Sequence, residues 1–220
     1  MIDLPSPNWN NRPAGIAVDM LVLHYTGMRT AAEALARLCD PAAEVSAHYV
    51  VDEDGTLYRL VPEDKRAWHA GLASWGGRSD VNTRSLGIEL VNPGHEFGYR
   101  PFPEAQMAVL EALCRDILDR HAIPPANVVG HADVAPRRKA DPGEMFDWRR
   151  LAAKGIGRWP TGARLRMAPP DEVKAWLAAC GYETEDPAAS LTAFQRHFRP
   201  TRCDGHPDPE TVGLLAALAI

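Results

Sequence analysis

The 220-residue chain has little cysteine, no surplus of basic charge and no long apolar run. Its four cysteines, Cys39, Cys114, Cys180 and Cys203, are dispersed and form no CxxC pair. They read as reduced core or surface thiols in a cytoplasm, with two disulfides in an exported protein as the other option. The net charge of −5 and a pI near 5.9 exclude the basic face of a general nucleic-acid or anionic-membrane binder. No stretch approaches the ~18–20 apolar residues needed to span a bilayer. The start, MIDLPSPNWNNRPAGIAVDM, has no apolar run behind a basic beginning and does not read as a signal peptide. The cytoplasm is the expected compartment, with the periplasm or envelope as the alternative if the sequence is part of a longer one. Also missing are an HExxH helix, which sets aside the common zinc-protease arrangement, and any internal repeat.

What remains is a soluble globular composition, long enough for one large domain or an ordinary domain plus a small one. Residues 18–24 form a short apolar run ending at His24, which predicts a buried strand. Residues 30–39 have helical spacing and stop at Asp40-Pro41. Residues 46–51 and 56–61 flank Asp54-Gly55 and predict a hairpin. SLGIELV (85–91) predicts a strand with Glu89 inside it, and residues 128–130 one more strand leading into His131. The clearest helix runs from Pro103 to His121, with Met107, Leu110, Leu113, Cys114, Ile117 and Leu118 as its apolar stripe. Strands mixed with long helices give an α/β domain, with a mixed central sheet flanked by helices, over residues 1–160. GIGRWPTGARLRMAPP (155–170) marks a linker or surface wrap, and three short helical patterns follow it. Residues 161–220 are therefore assigned to the linker and a small three-helix domain.

His24, His131 and Asp141 are candidate metal ligands. Two imidazoles and a carboxylate can hold a zinc ion and leave a fourth position for water. From spacing alone, three unrelated polar residues is the stronger reading. Among the other histidines, His48 reads as structural, His69 as lining a pocket or buried, and His95, His121, His197 and His206 as surface or loop residues. Glu89 by itself reads as a strand-edge ion-pair partner, and Lys139 as one of the basic run Arg137-Arg138-Lys139, whose arginines are expected in solvent or on substrate carboxylates.

Five motifs change this balance: VLHYTG (22–27), VSAHYVVDEDG (45–55), LVPEDKRAWHAG (60–71), SLGIELVN (85–92) and GHADVAPRRKADPG (130–143). In order, spacing and local identity the chain resembles the zinc-dependent N-acetylmuramoyl-L-alanine amidases related to peptidoglycan-recognition proteins, over residues 20 to 150. The tail, LTAFQRHFRPTRCDGHPDPETVGLLAAL (191–218), resembles a helical peptidoglycan-binding domain, and with GIGRWP (155–160) the whole chain is similar to AmiD-type amidases. Those are commonly lipid-anchored, and this sequence carries no lipoprotein signal. AmpD-type amidases of muropeptide recycling share the catalytic motifs and usually lack the tail.

The resemblance implies zinc on His24, His131 and Asp141, with Glu89 and Lys139 as catalytic residues. It implies a muropeptide or peptidoglycan substrate, cut at the lactyl–L-Ala amide; the acidic balance and the lack of a long apolar run set aside nucleic acid and a membrane span as partners. Tyr25, Trp68, His69, Trp75, Asn82, Arg78 and Arg84 are candidates for the substrate groove. The alternatives are a module that only binds wall fragments and a lytic amidase that attacks intact wall.

Overall fold

The computed structural model describes residues 1–219 and has a mixed six-stranded sheet at its centre. The strand order is Ile2–Asp3, Leu57–Arg59, Tyr49–Val51, Ser85–Leu90, Met20–Tyr25, Val128–Gly130. Tyr49–Val51 and Leu57–Arg59 form the expected antiparallel hairpin. The three strands that matter most for function, Ser85–Leu90, Met20–Tyr25 and Val128–Gly130, run parallel to one another. Their register sets Glu89 beside His24 and Gly130 beside Leu23. His24, Glu89 and His131 therefore all arrive at the carboxyl ends of parallel strands, where open α/β sheets place their ligands.

The alternation of each strand decides which layer covers it. Leu21, Leu23, Leu86, Ile88 and Leu90 face one side, under Met107, Leu110, Cys114 and Ile117 of the helix Glu104–Arg120. That helix begins one residue later than Pro103, which stands outside it in extended conformation. Each fully buried Leu or Ile contributes roughly 1.5–3 kcal/mol. Met20 and Val22 face the other side, as does the polar stripe Ser85, Gly87, Glu89. Gly87 is a spatial requirement: a Cβ there would lie 2.5 Å from the ring of His69.

The C-terminal helices, Pro170–Cys180, Pro187–Phe198 and Pro209–Leu218, each carry proline in the first turn. Asp186 and Asp208 cap the last two by accepting backbone N–H groups. Their buried side chains pack together with those of the sheet. Leu177, Phe194 and Leu215 join Met20, Val22, Val129 and Val134 in one apolar cluster, so the helices cover the second face of the sheet. Residues 153–169 wrap between the two parts. Ile156 is buried, Trp159 packs on both apolar clusters, and Arg158 donates to the carbonyls of Cys180 and Leu218. The wrap passes so close to the last helix that a Cβ on Gly213 would lie 2.0 Å from the Arg164 carbonyl oxygen.

Candidate metal centre and active site

Three side chains meet at the carboxyl end of the sheet. His24 Nδ1 lies 3.0 Å from His131 Nδ1 and 3.2 Å from Asp141 Oδ2, and the last two are 3.0 Å apart. All three residues are buried. The Ala132 N–H donates to the Asp141 carbonyl at 2.8 Å, which ties the two ligand-bearing segments together.

The hydrogen bonds behind the histidines assign their tautomers. Ser85 Oγ–H donates to the Val81 carbonyl at 2.7 Å, so Oγ accepts from His69 Nε2–H at 3.1 Å. His69 Nδ1 is then a lone pair, and it accepts from His24 Nε2–H at 3.0 Å. The relay leaves the Nδ1 lone pair of His24 pointing at the other two ligands. His131 Nε2–H donates to the Ala70 carbonyl at 3.1 Å, which frees its Nδ1 in the same way. Burial, with His131 alongside, lowers the His24 pKa to about 4, so the imidazole is neutral at pH 7. Asp141 is held well below the usual carboxylate range against the opposing effect of burial, so it is ionised. Three acceptors thus converge with no proton between them, a donor set that fits a divalent cation and could hold a metal.

A cavity of about 430 Å³ opens onto this point, and Glu89, Lys139, Tyr25, Trp68 and His69 line it beside the ligands. Burial pushes the Glu89 carboxyl well above its ordinary value, the charge of Asp141 adds to that, and Lys139 opposes it. Among the described residues, Glu89 Oε2 is buried and has no hydrogen-bond partner. An unpartnered buried acid is unfavourable in a structural role and is what proton transfer requires. The sequence held a signal for it: period-two alternation puts Glu89 on the stripe of Ser85 and Gly87, not among the leucines.

Four other expected groove residues lie elsewhere. Trp75 is buried edge-on against Tyr182, with ring centroids 5.0 Å apart, and Gly181 fits beneath it only because it lacks a Cβ. Asn82 Oδ1 accepts the backbone N–H groups of His69 and Ala70, which places it behind the site as a brace. Arg84 makes a two-pronged ion pair with Asp19, and Arg78 reaches the same carboxylate. The basic run is also spoken for: Arg137 pairs with Glu183 and Glu185, while Arg138 donates to the carbonyls of Ala70 and Leu72. His197, expected at the surface, is buried against Trp148 and Asp133. Sequence reasoning missed Arg138 as a brace and Thr26 and Met28 as cavity residues; Thr26 and Arg138 lie within the quoted motifs and Met28 directly follows one.

Comparison with known proteins places this geometry. The N-acetylmuramoyl-L-alanine amidase family model matches residues 14–144, which include both histidines, Asp141, Glu89 and Lys139. The chain is 38% identical to the N-acetylmuramoyl-L-alanine amidase AmiD of Escherichia coli, over 91% of this chain and 82% of that protein. It is 35% identical to the 1,6-anhydro-N-acetylmuramyl-L-alanine amidase AmpD of the same organism, over 67% of this chain and 88% of AmpD. Among solved structures, it superposes on E. coli AmiD in complex with anhydro-N-acetylmuramic acid-L-Ala-D-γ-Glu-L-Lys with a TM-score of 0.84 at 36% identity, covering 95% of this chain and 91% of that one. It superposes on AmpDh3 from Pseudomonas aeruginosa with a TM-score of 0.86 at 32% identity, covering 99% and 98%. The chain is an enzyme of the N-acetylmuramoyl-L-alanine amidase family.

Proposed function

We infer that the protein is a zinc amidase that cuts the lactyl–L-Ala amide of muropeptides, with 1,6-anhydro forms as the favoured substrates, in cell-wall recycling. The observation that carries the reading is the convergence of three proton-free acceptors at the wall of a cavity that also presents an unpartnered acid and an ammonium. Substrate chemistry is supported by the anhydro-muropeptides bound in the AmiD and AmpDh3 structures.

His24, His131 and Asp141 hold the zinc. Zinc in that position supplies Lewis acidity and lowers the pKa of a water toward ~7. Glu89 takes the proton from the attacking water and hands it to the leaving L-alanine nitrogen, a role suited to a carboxyl whose pKa lies well above its ordinary value. Lys139 stabilises the negative oxygen that develops as the carbonyl carbon becomes tetrahedral. Tyr25, Trp68 and His69 line the cavity into which the sugar and peptide enter. The four thiols are free, in keeping with a reducing cytoplasm as the compartment.

The test offers the full-length protein intact sacculi, reduced muropeptides and anhydro-muropeptides, and follows peptide release by mass. Preferential release from the anhydro form supports recycling. Efficient cleavage of sacculi replaces recycling with wall lysis, and binding without release from any substrate replaces catalysis with recognition. Activity that survives thorough chelation overturns the zinc mechanism.

A further inference from the structure

The turn that carries His131 is held from the C-terminal part of the chain. Asp133, two residues beyond the ligand, is buried, and its carboxylate accepts three hydrogen bonds. One comes from within the turn, from the Gly130 N–H to Oδ2 at 2.7 Å. The other two come from the helical segment: Tyr182 O–H donates to Oδ1 at 2.6 Å, and His197 Nδ1–H donates to Oδ2 at 2.8 Å. Both donors are themselves buried.

Packing fixes each donor independently. The His197 ring stacks on Trp148 with centroids 3.8 Å apart and planes 17° apart, and Tyr182 meets Trp75 edge-on. Trp148 presses in turn on Gly130, where an added Cβ would lie 3.2 Å from its ring and 2.7 Å from Pro142. Gly130 immediately precedes the ligand His131, and Pro142 immediately follows the ligand Asp141. The imidazole of His197 therefore backs the two ligand segments through Trp148 as well as through Asp133. The direction of a metal ligand is set by the bonds behind it, and a fully satisfied buried network is rigid. Here those bonds cross from a segment that supplies no ligand.

We propose that Tyr182 and His197 are positioning residues for the metal ligand His131, so that the C-terminal helices complete the metal centre through Asp133. This is a role separate from any grip on the cell wall, and it rests on His131 being a metal ligand. The test uses the full-length protein, stripped of metal and titrated with zinc against a chromophoric chelator. Tyr182→Phe removes one oxygen and is expected to weaken zinc about tenfold, with His197→Leu at least as severe. His197→Asn, which keeps a donor near the position of Nδ1, is expected to recover most of the loss. Leu215→Ala, in the core of the same helices, serves as the control: it lowers the thermal midpoint and leaves zinc affinity unchanged. If His197→Leu does not fold, Tyr182→Phe decides. Unchanged zinc affinity in Tyr182→Phe, or an equal loss in Leu215→Ala, overturns the proposal. A wild type that binds no zinc overturns the metal reading and this proposal with it, whereas tight wild-type binding with indifferent variants overturns this proposal alone.

Discussion

Two buried histidines stand on the same sheet and do opposite things. His48 accepts the Gly87 N–H at Nδ1, at 2.9 Å, and donates its Nε2–H to the Lys65 carbonyl at 3.1 Å. Each of its nitrogens has a backbone partner of the opposite kind, with the Arg12 guanidinium also 3.0 Å from Nε2. His24 has a partner of the opposite kind only at Nε2, and its Nδ1 faces two further acceptors. The same contrast holds for the acids: Asp133 accepts three donors, while Glu89 Oε2 has none. The two histidines are equally buried, and each of the two acids has a buried carboxyl oxygen. What separates structure from chemistry is whether donors and acceptors balance, and at the carboxyl end of the parallel strands they do not.

The largest effects should follow from attacking the unbalanced side. Asp141→Ala, or removal of metal by chelation, takes away several kcal/mol of transition-state stabilisation, at least about 10³-fold in rate. Added zinc should restore the chelated wild type and not the variant, as read by turnover and bound-metal analysis. Next comes Glu89→Gln, which keeps the shape and removes the proton carrier. Turnover should fall by about 10²–10⁴-fold with metal content unchanged. Near-normal turnover would remove Glu89 from the mechanism. Lys139→Met should lower kcat by about 10²–10³-fold, with KM moved far less, because its bond forms as charge develops.

Much of this contrast was legible in the sequence, and the limit has a physical form. The strand ending at His24, the strand carrying Glu89 and the apolar stripe of Glu104–Arg120 follow from local periodicity, which a chain of this kind writes openly. The ligand set became firm only through motif order, since spacing cannot say that positions 107 and 117 residues apart converge. The misplaced residues were those whose environment is supplied by distant chain. Trp75 looks like a groove aromatic until Gly181 and Tyr182 cover it. Arg84 looks like a carboxylate receptor until Asp19, 65 residues away, occupies it. His197 reads as a helix-surface residue because its partners, Asp133 and Trp148, belong to the other half.

An intermediate effect tests the relay that turns His24. His69→Phe removes the acceptor at His24 Nε2 while keeping a ring over Gly87. Zinc affinity should drop by about 10–100-fold, since outer partners of a ligand carry that much. Ser85→Ala frees His69 to adopt the other tautomer and should have a smaller effect of the same sign. An affinity unmoved in both variants would show that the zinc orients His24 without help.

The smallest effect on zinc, and the sharpest test of the contrast, belongs to His48. Burial, followed by the charge of Arg12, lowers its pKa to about 3 in the folded protein, against an ordinary value of 6.5. Between these values the unfolded chain binds the proton and the folded one does not. The stabilisation from a neutral His48 is therefore complete above pH 6.5 and is lost progressively as the pH falls toward 3. Glu63, whose pKa is held at about 2 by Arg120, His121 and Tyr49 against the opposing effect of burial, contributes in the same direction only at lower pH, as its ordinary value is 4.5. Urea unfolding of the metal-free protein between about pH 7 and about pH 5 thus carries the buried histidines with little interference from Glu63 and against an opposite slope from Glu89, so the difference between wild type and variant is what isolates His48. His48→Gln should lower stability by about 1–3 kcal/mol at neutral pH, because it breaks two buried hydrogen bonds, and should flatten that acid slope. Its zinc affinity should move far less than that of His69→Phe, because both ring nitrogens of His48 are bonded to backbone groups away from the metal centre and only its ring edge meets His69. If His48→Gln loses zinc as His69→Phe does, the balance of donors and acceptors does not divide the sheet into a structural and a chemical end.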